Sequence, residues 1–338
     1  MSERILRWGL LGTARINRAL IPPLRASNRN RLVAVASRTT ERAQAYAREW
    51  DIPRSFGSYE AMLADPDVDV IYNSLPNSLH AEWTIKSAQA GKHILCEKPL
   101  AVTVEQVDAI AGAARKHGVV VAEAFMYRHQ PVILQVQELI RSRAIGELRF
   151  VRGSFTYLQN RDADVRLDPN LAGGSIWDVG CYPISFARAM IGAEPVEVFG
   201  WQVIGPTGVD VTFTGQMRFP NEVFAQFDCS FRTPFRTAVE VVGSTGIIQV
   251  DNPWKSRPQE PILLTRFDSA EKTTSYDETE TIIAPDMLLY LGEVEDMADA
   301  VLLGKPPRIS LADSRANVAT ILALLQSARQ GRPVMMTR

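Results

Sequence analysis

His93-Ile94-Leu95-Cys96-Glu97-Lys98-Pro99 is the stretch on which the reading of this chain turns. An apolar, β-compatible run leads into a carboxylate, an ammonium and a proline. It reads as a short strand that must stop at Pro99, which has no backbone N–H to give a ladder. In sheets of parallel strands covered by helices, ligands bind outside the carboxyl ends of the strands, so a lysine at such an end faces a ligand rather than bulk water. Upstream, the run Leu6–Leu11 ends in a glycine turn at Gly12. A strand, a glycine turn and a lysine-bearing strand end together point to a nucleotide-binding sheet.

Working outward, residues 32–36, 68–72 and 119–122 are further short β-rich runs of the kind that helices cover on both faces. Between them lie helical patterns. One is opened by Thr103 with Gln106 as a capping box and carries Val104, Val107, Ile110, Ala111 and Ala114 at helical spacing. The fold class that follows is α/β. It comprises an N-terminal Rossmann doubly wound parallel sheet over residues 1–124 and, from 125 to 338, an α+β domain. In the second domain a helix around 132–140 precedes β patterns at 148–157, 196–203, 211–219, 223–231 and 238–250. Their polar–apolar alternation suits a large, mostly antiparallel open sheet. Helical periodicity returns at 287–303 and 311–330, on either side of Gly304-Lys305-Pro306-Pro307. Residues 162–169, charged and followed by Gly173-Gly174, are the candidate for a loop that moves over the site.

Composition narrows the partners. In 338 residues, 37 Lys and Arg balance 38 Asp and Glu, for a formal net charge of -1, so no bulk field draws nucleic acid or an anionic membrane surface. A small-molecule partner is expected. No stretch approaches the roughly 20 apolar residues of a bilayer span, and the start Met1-Ser2-Glu3-Arg4 reaches Gly9 without a long apolar run, so the expectation is a soluble, unexported protein. Cys96, Cys181 and Cys229 are odd in number and widely spaced, which suggests a reducing cytoplasm. His93, His117 and His129 lack ligand spacing, and no metal is expected.

The glycine turn Gly12-Thr13-Ala14-Arg15-Ile16-Asn17 keeps only the first glycine of G-x-G-x-x-G, with Ala14 and Asn17 at the other two positions. Ala14 still admits a pyrophosphate to the backbone, less closely than glycine, and the helix that follows offers amide donors. The second strand indicates which cofactor binds. Where an NAD enzyme carries Asp or Glu for the ribose 2′-hydroxyl, this chain has Ser37-Arg38. A hydroxyl and a guanidinium suit a 2′-phosphate, so NADP is favoured and NAD remains possible.

These motifs, together with Pro76-Asn77-Ser78-Leu79-His80, Tyr127-Arg128 with Pro131, and Gly173-Gly174-Ser175-Ile176-Trp177-Asp178-Val179-Gly180-Cys181-Tyr182, make the chain resemble the Gfo/Idh/MocA oxidoreductases from end to end. The similar branch contains dimeric dihydrodiol dehydrogenases, NADP-dependent xylose and glucose dehydrogenases and glucose-fructose oxidoreductase. The resemblance implies that Lys98 is the active-site lysine and that Tyr182 takes the place of a histidine found in inositol-dehydrogenase-like relatives. It puts Ser74, Leu75, Pro76, Asn77 and His80 along the nicotinamide half of the cofactor, beside Glu97 and Lys98. Arg128 and Arg166 fall near the substrate. Pairing of subunits through the second sheet is implied as well, giving a homo-oligomer, dimer or tetramer.

The chemistry of these residues fits hydride transfer. Oxidising a carbinol requires a base for its hydroxyl proton; Tyr182, whose free phenol titrates near about 10, needs a cation such as Lys98 to act as one. Asp178, four residues before Tyr182, would share its helix face and anchor a second hydroxyl, with the catalytic set then Lys98, Tyr182 and Asp178. Tyr157 and Trp177 could stack on a ring, and Arg128, Arg166 and Asp178 lean toward a polyhydroxylated sugar. The expected substrate is therefore an aldose such as xylose or glucose. A trans-dihydrodiol, a cofactor-sensing regulator and an assembly protein on the same fold stay open.

Overall fold

The computed structural model describes residues 4–161, 163–267 and 278–336. The chain divides into one unit of residues 1–126 with 288–318 and a second of 127–287 with 319–338. The return of 288–318 to the first unit departs from the expected split at 124.

In the first unit, β1 (Leu6–Leu11), α1 (Asn17–Ala26), β2 (Asn30–Ala36), α2 (Thr40–Glu49), β3 (Arg54–Phe56), α3 (Tyr59–Leu63), β4 (Val70–Asn73), α4 (His80–Gln89), β5 (His93–Glu97), α5 (Val104–His117) and β6 (Val121–Ala124) alternate along the chain. All the strands pair in parallel, in the order β3-β2-β1-β4-β5-β6. Helices cover both faces, so the strands are nearly continuous in apolar burial, and Trp8 in β1 satisfies its indole N–H on the Asn30 side chain at 2.7 Å. β3, with three half-buried residues, is too short to leave a periodicity. Thr103 caps α5 through its hydroxyl, which accepts from the Gln106 amide at 3.2 Å. The Gln106 side chain accepts in return from Val102, one residue ahead of the cap.

The second unit contains α6 (Pro131–Arg141), β7 (Leu148–Leu158), α7 (Cys181–Ile191), β8 (Glu197–Ile204), β9 (Asp210–Arg218), β10 (Phe224–Ser230), β11 (Arg232–Gly243), β12 (Gly246–Val250), β13 (Pro261–Arg266) and β14 (Glu278–Ile283). After it come α8 (Leu291–Leu303), which belongs to the first unit, α9 (Leu311–Gln330), which starts there and ends in the second, and β15 (Val334–Met335). The strands form one nine-stranded sheet in the order β14-β13-β12-β11-β7-β10-β9-β8-β15. It is antiparallel except where β10 runs parallel to β7. The run expected as one strand at 238–250 is two, turned at Ser244 and Thr245.

One face of this sheet is packed. Phe213 and Phe227 stack across β9 and β10 at 6.0 Å, and α7 lies so close to β7 that a Cβ at Gly153 would sit 2.7 Å from the Pro183 side chain. Trp254, fully buried, donates its indole N–H to the Ser154 carbonyl at 2.8 Å. Phe227 and Phe231 point into this core, whereas Phe224 lies on the opposite face with 44% of its surface exposed.

Candidate active site

In the first unit, parallel pairing brings the ends of β1, β2, β4 and β5 to one rim, and each carries a residue singled out in the sequence. Gly12 follows β1 with φ +101, a conformation that favours glycine, and a Cβ there would press on the Leu75 side chain at 3.1 Å. Asn17, at the third position of the degenerate glycine pattern, is buried and donates its side-chain amide to the Gly12 carbonyl at 2.9 Å. It ties the turn by a hydrogen bond where a glycine would do so by close packing. The amides of Asn17, Arg18 and Ala19 go to the carbonyls of Ala14, Arg15 and Ile16, so the donors left to hold a pyrophosphate would be those of the turn Thr13-Ala14-Arg15-Ile16 rather than of the first turn of α1. No side chain caps α1.

At the end of β2, Ser37 is buried at 4% exposure and Arg38 is exposed. Arg38 is not alone. Burial pushes the phenol of Tyr59 up while the charges of Arg38 and Arg42 pull it down, so both guanidinia lie within electrostatic reach of Tyr59. The Tyr59 hydroxyl is 4.0 Å from the point a Gly12 Cβ would occupy. Arg42 and Tyr59 were missed in the sequence. Arg42 stands in the first turn of α2, behind the capping Thr39, and its distance of five residues from Ser37 was the available signal. With Gly12 open to the backbone, a buried hydroxyl and two cations, this rim fits a dinucleotide bearing a 2′-phosphate.

Between β4 and β5 the rim is fastened internally. The Ser74 hydroxyl donates to the Leu11 carbonyl at 3.4 Å, and Asn73 accepts from the Leu75 amide and donates to the His80 carbonyl. Pro76 precedes a short 3-10 turn, Asn77 to Leu79, that leads into α4. His80 is 1% exposed, with Nδ1 2.7 Å from the Pro99 carbonyl and Nε2 2.6 Å from that of Leu75. Both ring nitrogens face backbone carbonyls, and the neutral ring that burial favours donates its one N–H to one of them, so His80 is packed between the loops of Leu75 and Pro99. Glu97 ends β5 buried; its carboxylate accepts from the Tyr72 hydroxyl and, at 3.3 Å, from the Lys98 backbone amide, and a cis bond joins Lys98 to Pro99.

In the second unit, Asp178 lies on a π-helical turn, Ile176–Gly180, that runs directly into α7 and Tyr182. Such turns recur at functional sites, and nothing in the sequence pattern marked this one. The Asp178 Oδ2 accepts from the Tyr157 hydroxyl and from Arg166 Nε, each at 2.8 Å, and Arg166 also pairs with Asp164 at 3.2 Å. Asp178 therefore belongs to a cluster with Tyr157 and Arg166. Burial and the Asp178 charge push the Tyr157 phenol well above its ordinary range, and Asp178 holds Arg166 protonated. Tyr157 remains a donor. Tyr182 is buried among Tyr127, Phe155 and Trp254, with ring centroids 5.7, 5.3 and 5.8 Å away, and Trp177 is buried beside it in sequence. Arg128 is half-buried on a 3-10 turn and donates to the Ser185 hydroxyl at 3.4 Å, where Tyr127 also donates.

Residues 163–169, expected as part of a moving loop, are built largely of short 3-10 turns, while Asp162 lies outside the described residues. Gly173 and Gly174 make room for two close approaches. A Cβ on Gly173 would strike the Arg166 carbonyl at 2.4 Å, and one on Gly174, at φ +125, the Asp210 carboxylate at 2.3 Å. They let the Arg166 backbone and Asp210 close against the start of the π turn. Asp210, unnoticed in the sequence, accepts there from the Ser175 hydroxyl at 2.6 Å and the Ile176 amide at 2.8 Å.

Comparison with known proteins agrees with this geometry. Residues 6–125 match the family model described as an oxidoreductase family with an NAD-binding Rossmann fold, and residues 133–249 match the GFO/IDH/MocA C-terminal domain. The chain is 36% identical over 333 residues to a D-xylose 1-dehydrogenase (NADP(+)) of Haloferax volcanii, covering 97% of this chain and 99% of that one. It is 32% identical over 327 residues to a trans-1,2-dihydrobenzene-1,2-diol dehydrogenase of Xenopus laevis, covering 94% and 96%. A 3-ketoreductase from Actinomadura kijaniata, solved with NADP and TDP-benzene, superposes with a TM-score of 0.88 at 28% identity over 96% of this chain and 98% of that one.

Asp210→Ala strips the acceptor from two donors in a buried setting, so equilibrium denaturation is expected to find the variant about 2–4 kcal/mol less stable. Asp210→Asn, which keeps one acceptor oxygen, should lose less than half as much.

Proposed function

The chain belongs to the Gfo/Idh/MocA oxidoreductase family, and from that premise we propose that it is a dehydrogenase oxidising a secondary carbinol of a sugar, an aldose such as xylose or glucose, with NADP. The observation that carries the sugar reading is the cluster in which Asp178 is held by Tyr157 and Arg166, beside the helix of Tyr182. A charged, hydrogen-bonding cluster favours a ring bearing several hydroxyls over an arene diol, whose carbon skeleton offers fewer partners. The 36% identity to a xylose dehydrogenase supports the same choice.

In this reading the turn Gly12 to Ile16 cradles the pyrophosphate, and Ser37 and Arg38, with Arg42, hold the 2′-phosphate. Ser74, Leu75, Pro76 and Asn77 line the nicotinamide half with Glu97 and Lys98, while His80 keeps the loops of Leu75 and Pro99 in place. The nicotinamide, when bound, supplies the acceptor for the hydride. Tyr182 takes the hydroxyl proton, and the Lys98 ammonium stabilises both the phenolate and the developing alkoxide charge. The proposal requires that Lys98 and Tyr182 reach the same carbinol oxygen. Tyr157 is unsuited to be the base, because its phenol is committed to Asp178 and its pKa is raised. Asp178 and Arg166 orient a neighbouring hydroxyl, with Arg128 and Trp177 near the ring. A reducing cytoplasm suits three buried cysteines that form no disulfide among the described residues.

We also propose a homo-oligomer, dimer or tetramer, through the outward face of the second unit's sheet, where Trp201 is 55% exposed and Val203, Ile204 and Phe224 are exposed with it. Light scattering at micromolar concentration should return at least twice the 37.5 kDa chain mass; a monomer would remove the proposal.

The decisive experiment is a panel of aldoses and trans-dihydrodiols assayed with NADP and with NAD at the absorbance of the reduced nicotinamide. Turnover of an aldose with NADP above every dihydrodiol is expected, and the reverse order would transfer the assignment to the diols. Tyr182→Phe should lower kcat by roughly 100-fold or more, the scale of a lost general base, with NADP affinity nearly unchanged. Wild type should bind NADP over NAD by roughly ten- to a hundredfold, the equivalent of about 1.5–3 kcal/mol of charge-assisted hydrogen bonding. In Ser37→Asp with Arg38→Ala that preference should invert, Arg42 leaving part of the affinity for the phosphate. An unmoved ratio in the double variant would release both residues from the role.

A further inference from the structure

Glu293, on α8, has 2% of its surface exposed, and neither carboxyl oxygen has a hydrogen-bond partner. An ionised carboxylate there would lack the pairing that a buried charge requires. The titratable groups that act on it are acids: Glu97 at the end of β5, then Asp296 one turn along α8. Tyr72 and Tyr290 belong to the same buried group, since each phenol is pushed up by the charges of both Glu97 and Glu293. Arg29, just before β2, pairs with Glu295 and Asp299 on the same helix. Burial and the neighbouring Glu97 raise the Glu293 carboxyl well above the usual carboxylate range.

Two buried carboxyls whose charges act on each other cannot both ionise cheaply, so the pair holds one proton, and the donors decide where it resides. Glu97 has them: the Tyr72 hydroxyl on one oxygen and the Lys98 amide on the other. Glu293 has none. We propose that Glu293 is a positioning residue kept as a neutral carboxylic acid, which leaves the single negative charge on Glu97 and so fixes the backbone from which Lys98 projects. Its bearing on turnover rests on the dehydrogenase reading of Lys98; its protonation state does not.

An acid in this state costs stability. Its folded pKa lies above the unfolded value of about 4.3, so the contribution is fully present below that pH and is lost as the pH rises toward the folded pKa, by up to tenfold in the folding constant per pH unit. Glutamine, with the same shape and no ionisable proton, would avoid the loss.

The test compares wild type with Glu293→Gln in the absence of cofactor and substrate. The variant's thermal midpoint should gain on wild type steadily between about pH 5 and pH 8. A difference independent of pH would reduce Glu293 to packing and overturn the proposal. Infrared spectra of wild type at neutral pH should contain a deuteration-sensitive band of a protonated carboxyl that Glu293→Gln lacks, and a wild type without the band would also overturn it. For the link to Lys98, NADPH is titrated by fluorescence over the same range. Glu293→Gln, uncharged like the acid it replaces, should match wild-type affinity within about twofold at every pH, and a ratio that changes about threefold or more with pH would mean that Glu293 ionises in the folded protein and would end the positioning role. The first two measurements stand or fall whether or not the chain transfers hydride.

Discussion

A parallel ladder brings the carboxyl ends of all its strands to one rim, and in this protein β1 is the strand about which that rim is arranged. It pairs with β2 on one side and β4 on the other, so the chain order reverses beside it and leaves a crevice at its end. Gly12 stands in that crevice at φ +101, a conformation that L side chains rarely adopt, with the Leu75 side chain against it. Ser37, Ser74 and Lys98 take their places because they follow the neighbouring strands in the same ladder. A substitution that shifted the register of β1 would displace all of them at once.

The second unit solves a different problem. Its sheet places a packed face beneath α7, and a carboxylate drawn wholly or partly out of water there needs hydrogen-bond donors in its place. Asp178 satisfies this by taking Tyr157 and Arg166 on one oxygen, and Asp210 by taking the Ser175 hydroxyl and the Ile176 amide. The first arrangement commits Tyr157 as a donor and so separates it chemically from Tyr182. The second pins the start of the π turn. Electrostatic commitments of this kind, rather than the identity of the side chain, make Tyr157 a donor.

Family resemblance and physical reading contributed different things. The resemblance rested on motifs at strand ends and at the start of α7, and the matched family models run through both regions. It could not anticipate that both nitrogens of His80 are taken by backbone carbonyls, or that Gly173 and Gly174 make room for Arg166 and Asp210. Those are properties of contacts between segments far apart in sequence.

Local sequence determined the alternation of strands and helices, the Thr103 cap, the glycine at Gly12 and the absence of an acid after β2, because each depends on neighbours within a few residues or on hydrophobic period. Only the tertiary structure decided that 288–318 returns to the first unit, that β10 runs parallel to β7, that Arg42 and Tyr59 join Arg38, and that Glu293 lies buried beside Glu97. The physical reason is common to all four. Each depends on segments distant in sequence being packed together, and burial, which sets the charge of a carboxyl or the partner of an arginine, exists only once that packing has formed.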